Sequence, residues 1–153
     1  MCVTFVFYFK VMSENLKLSN QVCFPVYTLA KEVINLYRPM LKDLDLTYPQ
    51  YLVMLVLWES GEQHVSEIGC KLHLDSGTLT PLLKRLEQKK LIERNRNKND
   101  ERIVQISLTP SGKKMYEKAE CIPDQMASSF NIPINQLQEL KEIIEQILIQ
   151  INK

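Results

Sequence analysis

The sequence predicts a mainly α-helical fold with one small β-hairpin. Apolar residues recur at the three-to-four-residue spacing of amphipathic helices over most of the chain. A single pair of short strand-like segments, joined by a polar turn, interrupts this pattern past the middle of the sequence. Amphipathic helical stripes also occupy both ends. With 153 residues, the chain can bury a hydrophobic core without the support of disulfides.

The charge of the chain is unevenly distributed. Hydrophobic residues make up 45% and charged residues 24%, as in ordinary globular proteins, and the formal net charge is only +1. Between Lys84 and Arg102, eight basic residues accompany four acidic ones, so this segment carries +4 and the rest of the chain −3. Such a concentration indicates a polyanionic partner. On charge alone, a solvated helix face followed by a charged turn explains the segment equally well.

The cysteines do not form a metal or disulfide motif. There are four, they are widely spaced without a Cys-x-x-Cys pair, and only two histidines accompany them. A zinc site of ordinary spacing is therefore not expected. The chain is also too large and too poor in cysteine to need a disulfide scaffold. We predict neither a metal site nor a cofactor.

The first eleven residues are apolar but do not resemble a targeting segment. They lack a basic leading region, a small-residue cleavage site and the length of a membrane span. A polar and more typical start follows at Met12. We therefore expect a cytoplasmic protein without membrane attachment, in which residues 1–11 form a disordered extension and residues 12–153 form the folded domain.

The first helix is predicted between about Leu16 and Leu44. Its apolar side chains share one face of the helix and form a stripe of Leu29, Val33, Leu36, Met40 and Leu44. A stripe of this kind packs either against the rest of the chain or against another copy of it, and spacing alone does not name the partner.

A second helix is predicted after a new N-terminal capping sequence. Thr47 can cap it, Gln50 lies three residues later as in a capping box, and Pro49 is tolerated in the first turn. Its strongly apolar body runs from Tyr51 to Trp58, and Gly61 ends it.

A short third helix, a tight turn and a fourth helix come next. The turn spans residues 73–76, and the fourth helix runs from about Gly77 to Lys89. Pro81 removes a backbone donor near the start of that helix, so we expect local distortion there. Short helix, tight turn and second helix are the pattern of a helix-turn-helix. The apolar positions that mark the third helix are Val65, Ile68 and Leu72.

The side chains of the fourth helix suit the major groove of DNA. A recognition helix needs small hydrogen-bonding residues at its leading end to approach base edges, and Ser76, Thr78 and Thr80 stand there. It needs long cations farther along to reach phosphates, and Lys84 and Arg85 stand there. We predict that these five residues contact DNA.

A basic β-hairpin is predicted directly behind the recognition helix. Its strands are residues 91–94 and 103–108, the second with regular alternation of apolar and polar positions. A charged hairpin tip is usually only solvated, but behind a helix-turn-helix it forms the wing of a winged helix, whose tip can enter a minor groove. The basic residues predicted to contact DNA from this wing are Arg94, Arg96, Lys98 and Arg102.

The remainder of the chain is predicted to be helical. Thr109 and Pro110 start a helix that runs towards Phe130. The last segment spaces its apolar residues as in a helix that packs along another helix. We expect residues 14–45 and 110–153 to form dimerisation helices around a DNA-binding lobe at residues 47–109, with an intrachain core as the alternative. The apolar seam consists of Leu137, Leu140, Ile144, Ile147 and Ile151.

This order of elements resembles the MarR family of transcriptional regulators over about residues 15–153. The resemblance is carried by residues 75–87, by Asp100-Glu101-Arg102, and by Leu108-Thr109-x-x-Gly112. Gln21-Val22-Cys23-Phe24-x-x-Tyr27 and residues 46–51 are similar to the OhrR-type branch, which senses organic hydroperoxides and includes staphylococcal thiol-based regulators.

The resemblance implies a homodimeric repressor that binds a pseudo-palindromic operator in double-stranded DNA and releases it on oxidation of Cys23. In that branch, tyrosine hydroxyls from both subunits surround the reactive cysteine, and the matching residues here are Tyr27, Tyr37 and Tyr48. Such hydroxyls can donate hydrogen bonds to a thiolate. In two-cysteine members, a second cysteine forms an intersubunit disulfide, and Cys121 lies in the corresponding region.

Several alternatives follow from the same residues. Cys121 can equally be a small core residue, and a buried Cys23 would by itself be ordinary packing. Pro25 should either move the helix start close to Cys23 or bend the helix beside it. A MarR-type repressor induced by a small molecule would share the DNA-binding features. A thiol peroxidase that uses Cys23 is a more distant alternative, because no general base or cofactor loop accompanies the cysteine, and we predict that the chain is not an enzyme.

Overall fold

The computed structural model describes residues 14–96 and 104–151. The mainly α-helical fold with a small sheet is confirmed, and none of the described helices is long and apolar enough to cross a membrane. After a single 3-10 turn at Leu18–Asn20, the elements in chain order are α1 (Cys23–Lys42), α2 (Tyr48–Ser60), β1 (Gln63–His64), α3 (Val65–Leu72), α4 (Ser76–Gln88), β2 (Ile92–Arg96), β3 (Val104–Leu108), α5 (Pro110–Ala119), α6 (Ile122–Ser129) and α7 (Ile134–Ile151).

Local capping signals place the helix boundaries largely as the sequence predicts. At the start of α2, the backbone amide of Thr47 donates to the Oε1 atom of Gln50 over 3.0 Å, which completes half of the predicted capping box. Gly61 ends the same helix with a φ of 70°, a conformation that glycine adopts without steric cost. At the start of α5, the Thr109 hydroxyl accepts the amide of Gly112 over 3.0 Å.

The hydrophobic core lies where α2, α3 and α4 meet the sheet. Leu79, Leu83 and Leu86 form the inner face of α4 and are almost completely buried. Ile68 of α3 and Ile106 of β3 close the core on either side. The helix-turn-helix and the wing therefore share one core, and this fixes the orientation of the recognition helix relative to the hairpin.

The sheet is antiparallel, with strand order β1-β3-β2 among the described residues. β2 pairs with β3 from Ile92 opposite Leu108 to Arg96 opposite Val104, as expected for the wing. The two-residue strand β1, which the sequence did not predict, pairs with β3 through Gln63 and Ile106. The wing is thus attached to the helical part by a third strand.

Prolines explain where the predicted helices and the structure differ. α1 begins at Cys23 and not near Leu16, because the Pro25 ring would collide with the carbonyl of residue 21 in a longer helix. This resolves the alternative left open at Pro25 in favour of an early helix start. α5 ends at Ala119 and does not run to Phe130, because Pro123 would collide with the Ala119 carbonyl in the same way.

Two further expectations are revised. The distortion expected at Pro81 does not interrupt α4, which is continuous from Ser76 to Gln88. Cys121 does not lie inside a helix, as the sequence predicted, but in the turn between α5 and α6. Residues 1–11, the predicted extension, lie outside the described residues.

At Gly112, α5 passes close to the backbone of Leu91 at the base of the wing. A Cβ atom at this position would lie 2.0 Å from the backbone oxygen of Leu91, and backbone atoms cannot swing aside. We expect Gly112→Ala to lower the free energy of unfolding by about 1–3 kcal/mol or more, the usual cost of overpacking. Thermal and urea unfolding measure this, with the exposed neighbour Ser111→Ala as the control. Equal stability of the two variants would contradict the close approach.

Candidate DNA interface and thiol site

The leading end of α4 is capped by its own polar side chains. The Asp75 carboxylate accepts the Thr78 amide over 3.0 Å through Oδ1 and the Thr78 hydroxyl over 2.7 Å through Oδ2. These hydrogen bonds hold the pKa of Asp75 below its usual value. The Thr78 hydroxyl proton is therefore committed to the cap, and only the oxygen remains free to accept a hydrogen bond from DNA.

The outer face of α4 is polar and accessible. Ser76, Thr78, Lys84 and Arg85 are exposed, and Thr80 is half-buried. Because the leucines of the opposite face are buried in the core, this helix presents its hydrogen-bonding residues and its cations to solvent together. That arrangement satisfies the steric requirement for a helix that enters a major groove.

Arg94 is held by the protein and is not a free wing cation. Its Nη1 atom lies 3.6 Å from the Oε2 atom of Glu87 in α4, and its side chain is 21% exposed. Its Nε atom is buried and has no hydrogen-bond partner among the described residues. Arg94 therefore links the wing to the recognition helix. Its predicted contact with DNA stays a prediction. Arg96 ends β2, and Lys98 and Arg102 lie outside the described residues.

Three tyrosines form a cluster where α1 meets α2. The ring centroids of Tyr37 and Tyr48 are 4.6 Å apart, and those of Tyr37 and Tyr51 are 5.8 Å apart. Burial, reinforced by the neighbouring Tyr48 and Tyr51, raises the pKa of Tyr37 to about 12, and burial also raises the pKa of Tyr48. These hydroxyls therefore stay protonated at physiological pH, which keeps them available as hydrogen-bond donors.

Within one chain, Cys23 lies far from this cluster. It is exposed at the first position of α1, whereas Tyr37 is fourteen residues farther along the same helix. At 1.5 Å per residue, that separation is about 21 Å. Tyr27, one turn from Cys23, is 67% exposed and is not part of the cluster. The structure thus brings Tyr37 and Tyr48 together and leaves Cys23 and Tyr27 at the opposite end of α1.

Sequence reasoning missed the continuation of the cluster through Tyr51 and Trp58. Tyr51 was assigned only to an apolar helix, yet its ring lies 6.2 Å from that of Trp58, and Trp58 lies 5.8 Å from Tyr116 of α5. The Trp58 indole also donates to the Gly112 carbonyl over 3.0 Å. The signal was the three- and seven-residue spacing of Tyr48, Tyr51 and Trp58 along one face of α2.

Cys121 lies within electrostatic range of Tyr51, a member of the tyrosine cluster. Its exposed thiol accepts a hydrogen bond from the Gln125 Nε2 atom over 3.4 Å. It is close enough to Tyr51 to contribute, after burial and Tyr48, to the raised pKa of that residue. Cys70, in contrast, is exposed on α3, the first helix of the helix-turn-helix. Among the residues that the structure describes, no group of His, Cys, Asp and Glu is suited to hold a metal ion.

The second prediction concerns the ionisation of Tyr37. Its neutral form is favoured in the folded protein, so its contribution to stability is complete below pH 10 and is lost as the pH rises from 10 to about 12. A spectroscopic titration of tyrosinate in the native protein should show a late phase near pH 12. We expect this phase to disappear in Tyr37→Phe and in urea-unfolded protein. A native titration without a late phase would contradict the burial of the cluster.

Comparison with known proteins gives consistent matches. A family model described as "Transcriptional regulator SarA/Rot" matches residues 35–119. The organic hydroperoxide resistance transcriptional regulator of Bacillus subtilis is 44% identical over 135 residues, which cover 88% of this chain and 92% of that protein. The structure of reduced AbfR bound to DNA superposes with a TM-score of 0.75 at 36% identity, covering 93% of this chain and 99% of that one. Disulfide-formed AbfR gives a TM-score of 0.63 at 36% identity, covering 91% and 98%.

Proposed function

The chain belongs to the SarA/Rot family of transcriptional regulators, and we propose that it is a homodimeric repressor that leaves its operator when an organic hydroperoxide oxidises Cys23. The observation that carries this proposal is the tyrosine pair. The rings of Tyr37 and Tyr48 pack together with neutral hydroxyls, and the Cys23 of the same chain is about 21 Å from Tyr37 along α1. The predicted resemblance to hydroperoxide-sensing MarR regulators is confirmed by the Bacillus subtilis relative.

Exposed apolar surface supports the dimer. Val22, Val26 and Leu29 at the start of α1 are exposed in the single chain, and their spacing of four and three residues places them on one face as an apolar patch of the kind that marks an interaction surface. α7 contains no buried residue, and its predicted seam is open to solvent. We infer a dimer in which the two α1 helices run antiparallel, because this arrangement brings the Cys23 end of one α1 to the Tyr37 end of the other. We infer that residues 14–45 and 110–153 form the dimerisation part and residues 47–109 the DNA-binding part.

The chemistry of sensing follows from this arrangement. The Cys23 thiolate attacks the terminal oxygen of the hydroperoxide and the O–O bond breaks. The sulfur keeps the hydroxyl group as a sulfenic acid, and the alkoxide leaves and takes up a proton from water to become the alcohol. Tyr37 and Tyr48 of the other subunit donate hydrogen bonds to the thiolate before this step and favour the reactive form. Because a single oxidation event changes the DNA-binding state of the protein, a regulator of this kind does not need to turn over hydroperoxide. As a protein that binds DNA, it is proposed to act in the cytoplasm.

A binding experiment tests the proposed function. A labelled duplex from the region upstream of the chain's own gene is titrated with reduced protein by fluorescence anisotropy, with and without cumene hydroperoxide. We expect tight binding that weakens steeply with salt, release after oxidation, and recovery with a dithiol. Binding that hydroperoxide leaves unchanged but a small aromatic acid abolishes would instead indicate a ligand-induced repressor. Repeated consumption of hydroperoxide by one protein would indicate a peroxidase.

The same assay tests the wing. Arg96→Ala and Arg102→Ala remove cations that the sequence places in the hairpin, whereas Lys114→Ala removes one exposed cation from α5 as a control. Each wing variant is expected to weaken binding several-fold and to reduce the slope of the salt dependence by about one, because one phosphate contact is lost. Unchanged affinity in both wing variants would remove the wing from the interface.

A further inference from the structure

A polar bridge joins the end of the recognition helix to the end of the first helix. Lys89 follows α4 directly, and its Nζ atom lies 2.9 Å from the Oδ2 atom of Asp45. The same ammonium group donates to the backbone carbonyl of Asp45. Asp45 stands in the turn between α1 and α2, forty-four residues earlier in the sequence. The bridge therefore connects two parts of the chain that have different proposed roles.

Both ends of this bridge are held firmly. Asp45 has the left-handed φ of 51°, and its amide donates to the Lys42 carbonyl over 3.0 Å. Its two neighbours, Leu44 and Leu46, are buried in the core. The Lys89 amide donates in turn to the Arg85 carbonyl over 3.1 Å. The backbone at each end is therefore fixed, and the Lys89 side chain is the part of the bridge that links a displacement of one end to the other.

The bridge lies between the proposed sensor and the proposed DNA contacts. Asp45 is three residues before Tyr48, whose ring packs on Tyr37. Lys89 is four residues after Arg85, about one helical turn. The leucine face of α4 is apolar and therefore without directional bonds. Glu87 of α4 is paired with Arg94 of the wing, whereas the Lys89 ammonium group is the directional attachment towards the turn between α1 and α2.

We propose that the Lys89–Asp45 bridge transmits the oxidation state of the tyrosine site to the recognition helix, so that Lys89 is a positioning residue for operator release. This inference rests on the proposed function and adds the element that couples its two sites. When oxidised Cys23 of the partner leaves its tyrosine hydroxyls, the start of α2 and the preceding turn shift, and the bridge moves the end of α4 with them.

The ion pair with the Asp45 side chain and the hydrogen bond to the Asp45 backbone carbonyl can be removed separately, so that variants are expected to lose different parts of the bridge. The Asp45 side chain is 88% exposed, so its charge is largely screened by water, whereas the Lys89 side chain is only 29% exposed. Asp45→Asn tolerates the left-handed conformation and keeps the backbone carbonyl as an acceptor. Lys89→Met keeps the aliphatic stem but removes both bonds. Lys89→Arg keeps a donor for both acceptors.

The experiment measures the ratio of operator Kd values for oxidised and reduced protein in each variant. Mass spectrometry verifies that Cys23 is oxidised to the same extent, and thermal unfolding verifies folding. Lys89→Met is expected to lower the ratio at least about fivefold, within the usual range of allosteric coupling, with a smaller decrease in Asp45→Asn and the wild-type ratio in Lys89→Arg. The control is Lys90→Met, because the neighbouring Lys90 makes no ion pair in the described part of the chain.

Each outcome bears on the bridge. A wild-type ratio in both Lys89→Met and Asp45→Asn, or an equal decrease in Lys90→Met, overturns the inference while leaving the proposed function intact. Operator binding by the wild type that hydroperoxide does not weaken overturns the proposed function and the inference with it. If Lys89→Met unfolds, a decreased ratio in folded Asp45→Asn supports the bridge and an unchanged one overturns it.

Discussion

Replacing Cys23 by serine is expected to leave operator binding within about twofold of the wild type and to abolish release by hydroperoxide. Serine keeps the size and the hydrogen bonding of the reduced side chain but cannot follow the thiol to a sulfenic acid. In the wild type, oxidation should weaken binding by about tenfold or more, as allosteric coupling usually does. Anisotropy titrations before and after cumene hydroperoxide measure the difference.

Cys70→Ser is the matched control for this variant. Its thiol is also exposed, but it lies on α3, away from the tyrosine cluster. Cys70→Ser should therefore respond to hydroperoxide as the wild type does. Trp58, the only tryptophan, packs against Tyr51 and gives a second readout, because its fluorescence should change on oxidation in Cys70→Ser but not in Cys23→Ser. Release of Cys23→Ser at wild-type doses of hydroperoxide would show that another group senses the oxidant.

The parts of the fold that depend on neighbouring residues in the sequence could be predicted. Thr47, Gly61 and Thr109 set helix ends through bonds within four residues or through a single backbone conformation, and each behaves as predicted. The leucine stripe of α4 needed only the helical period. The recognition helix and the wing followed from such local signals, and therefore so did most candidate DNA contacts.

The interactions between distant segments could not be predicted in the same way. The pairing of β1 with β3 involves two residues, too few to leave a strand pattern in the sequence. Arg94 was assigned to DNA because it is a cation in the wing, and that assignment stays a prediction. Its ion pair with Glu87, which lies on a separate element, could not be predicted. Tyr37 meets Tyr48 only because α1 and α2 pack against each other. Contacts of this kind depend on tertiary packing. The apolar periodicity of a sequence shows which face of a helix is buried, but not which element covers it.

Cys121 depends both on a local signal in the sequence and on a contact between distant segments. Its neighbourhood contained a readable signal, because Pro123 forbids the continuous helix in which the cysteine was first placed. Its proximity to Tyr51 could not be predicted, because it depends on how the turn after α5 packs against segments that are distant in the sequence. The resulting geometry makes Cys121 a better candidate for a second redox residue than its place in the sequence alone suggested.

Replacing Cys121 by serine is expected to prevent a covalent dimer that hydroperoxide induces in the wild type. A partner's Cys23 held at Tyr37 and Tyr48 would lie near Tyr51, whose ring packs on Tyr37 and whose pKa is raised by burial, by Tyr48 and by the thiol of Cys121. There the Cys121 thiolate can attack the sulfenic sulfur, so that the S–S bond forms and hydroxide leaves and takes up a proton as water. The disulfide requires the two Cα atoms to come within about 7 Å.

A non-reducing gel after hydroperoxide treatment measures this step. Wild type and Cys70→Ser should shift to a disulfide-linked dimer, whereas Cys121→Ser should remain at the mass of one chain and accumulate sulfenic or more highly oxidised Cys23. Gln125→Ala, which removes the side-chain donor to the Cys121 thiol, should form the dimer more slowly. A covalent dimer of Cys121→Ser would assign the link to another thiol. A wild type that stays monomeric and gains only the mass of a small thiol would replace the two-cysteine mechanism by a one-cysteine mechanism, in which Cys23 is capped from solution and Cys121 is a structural residue.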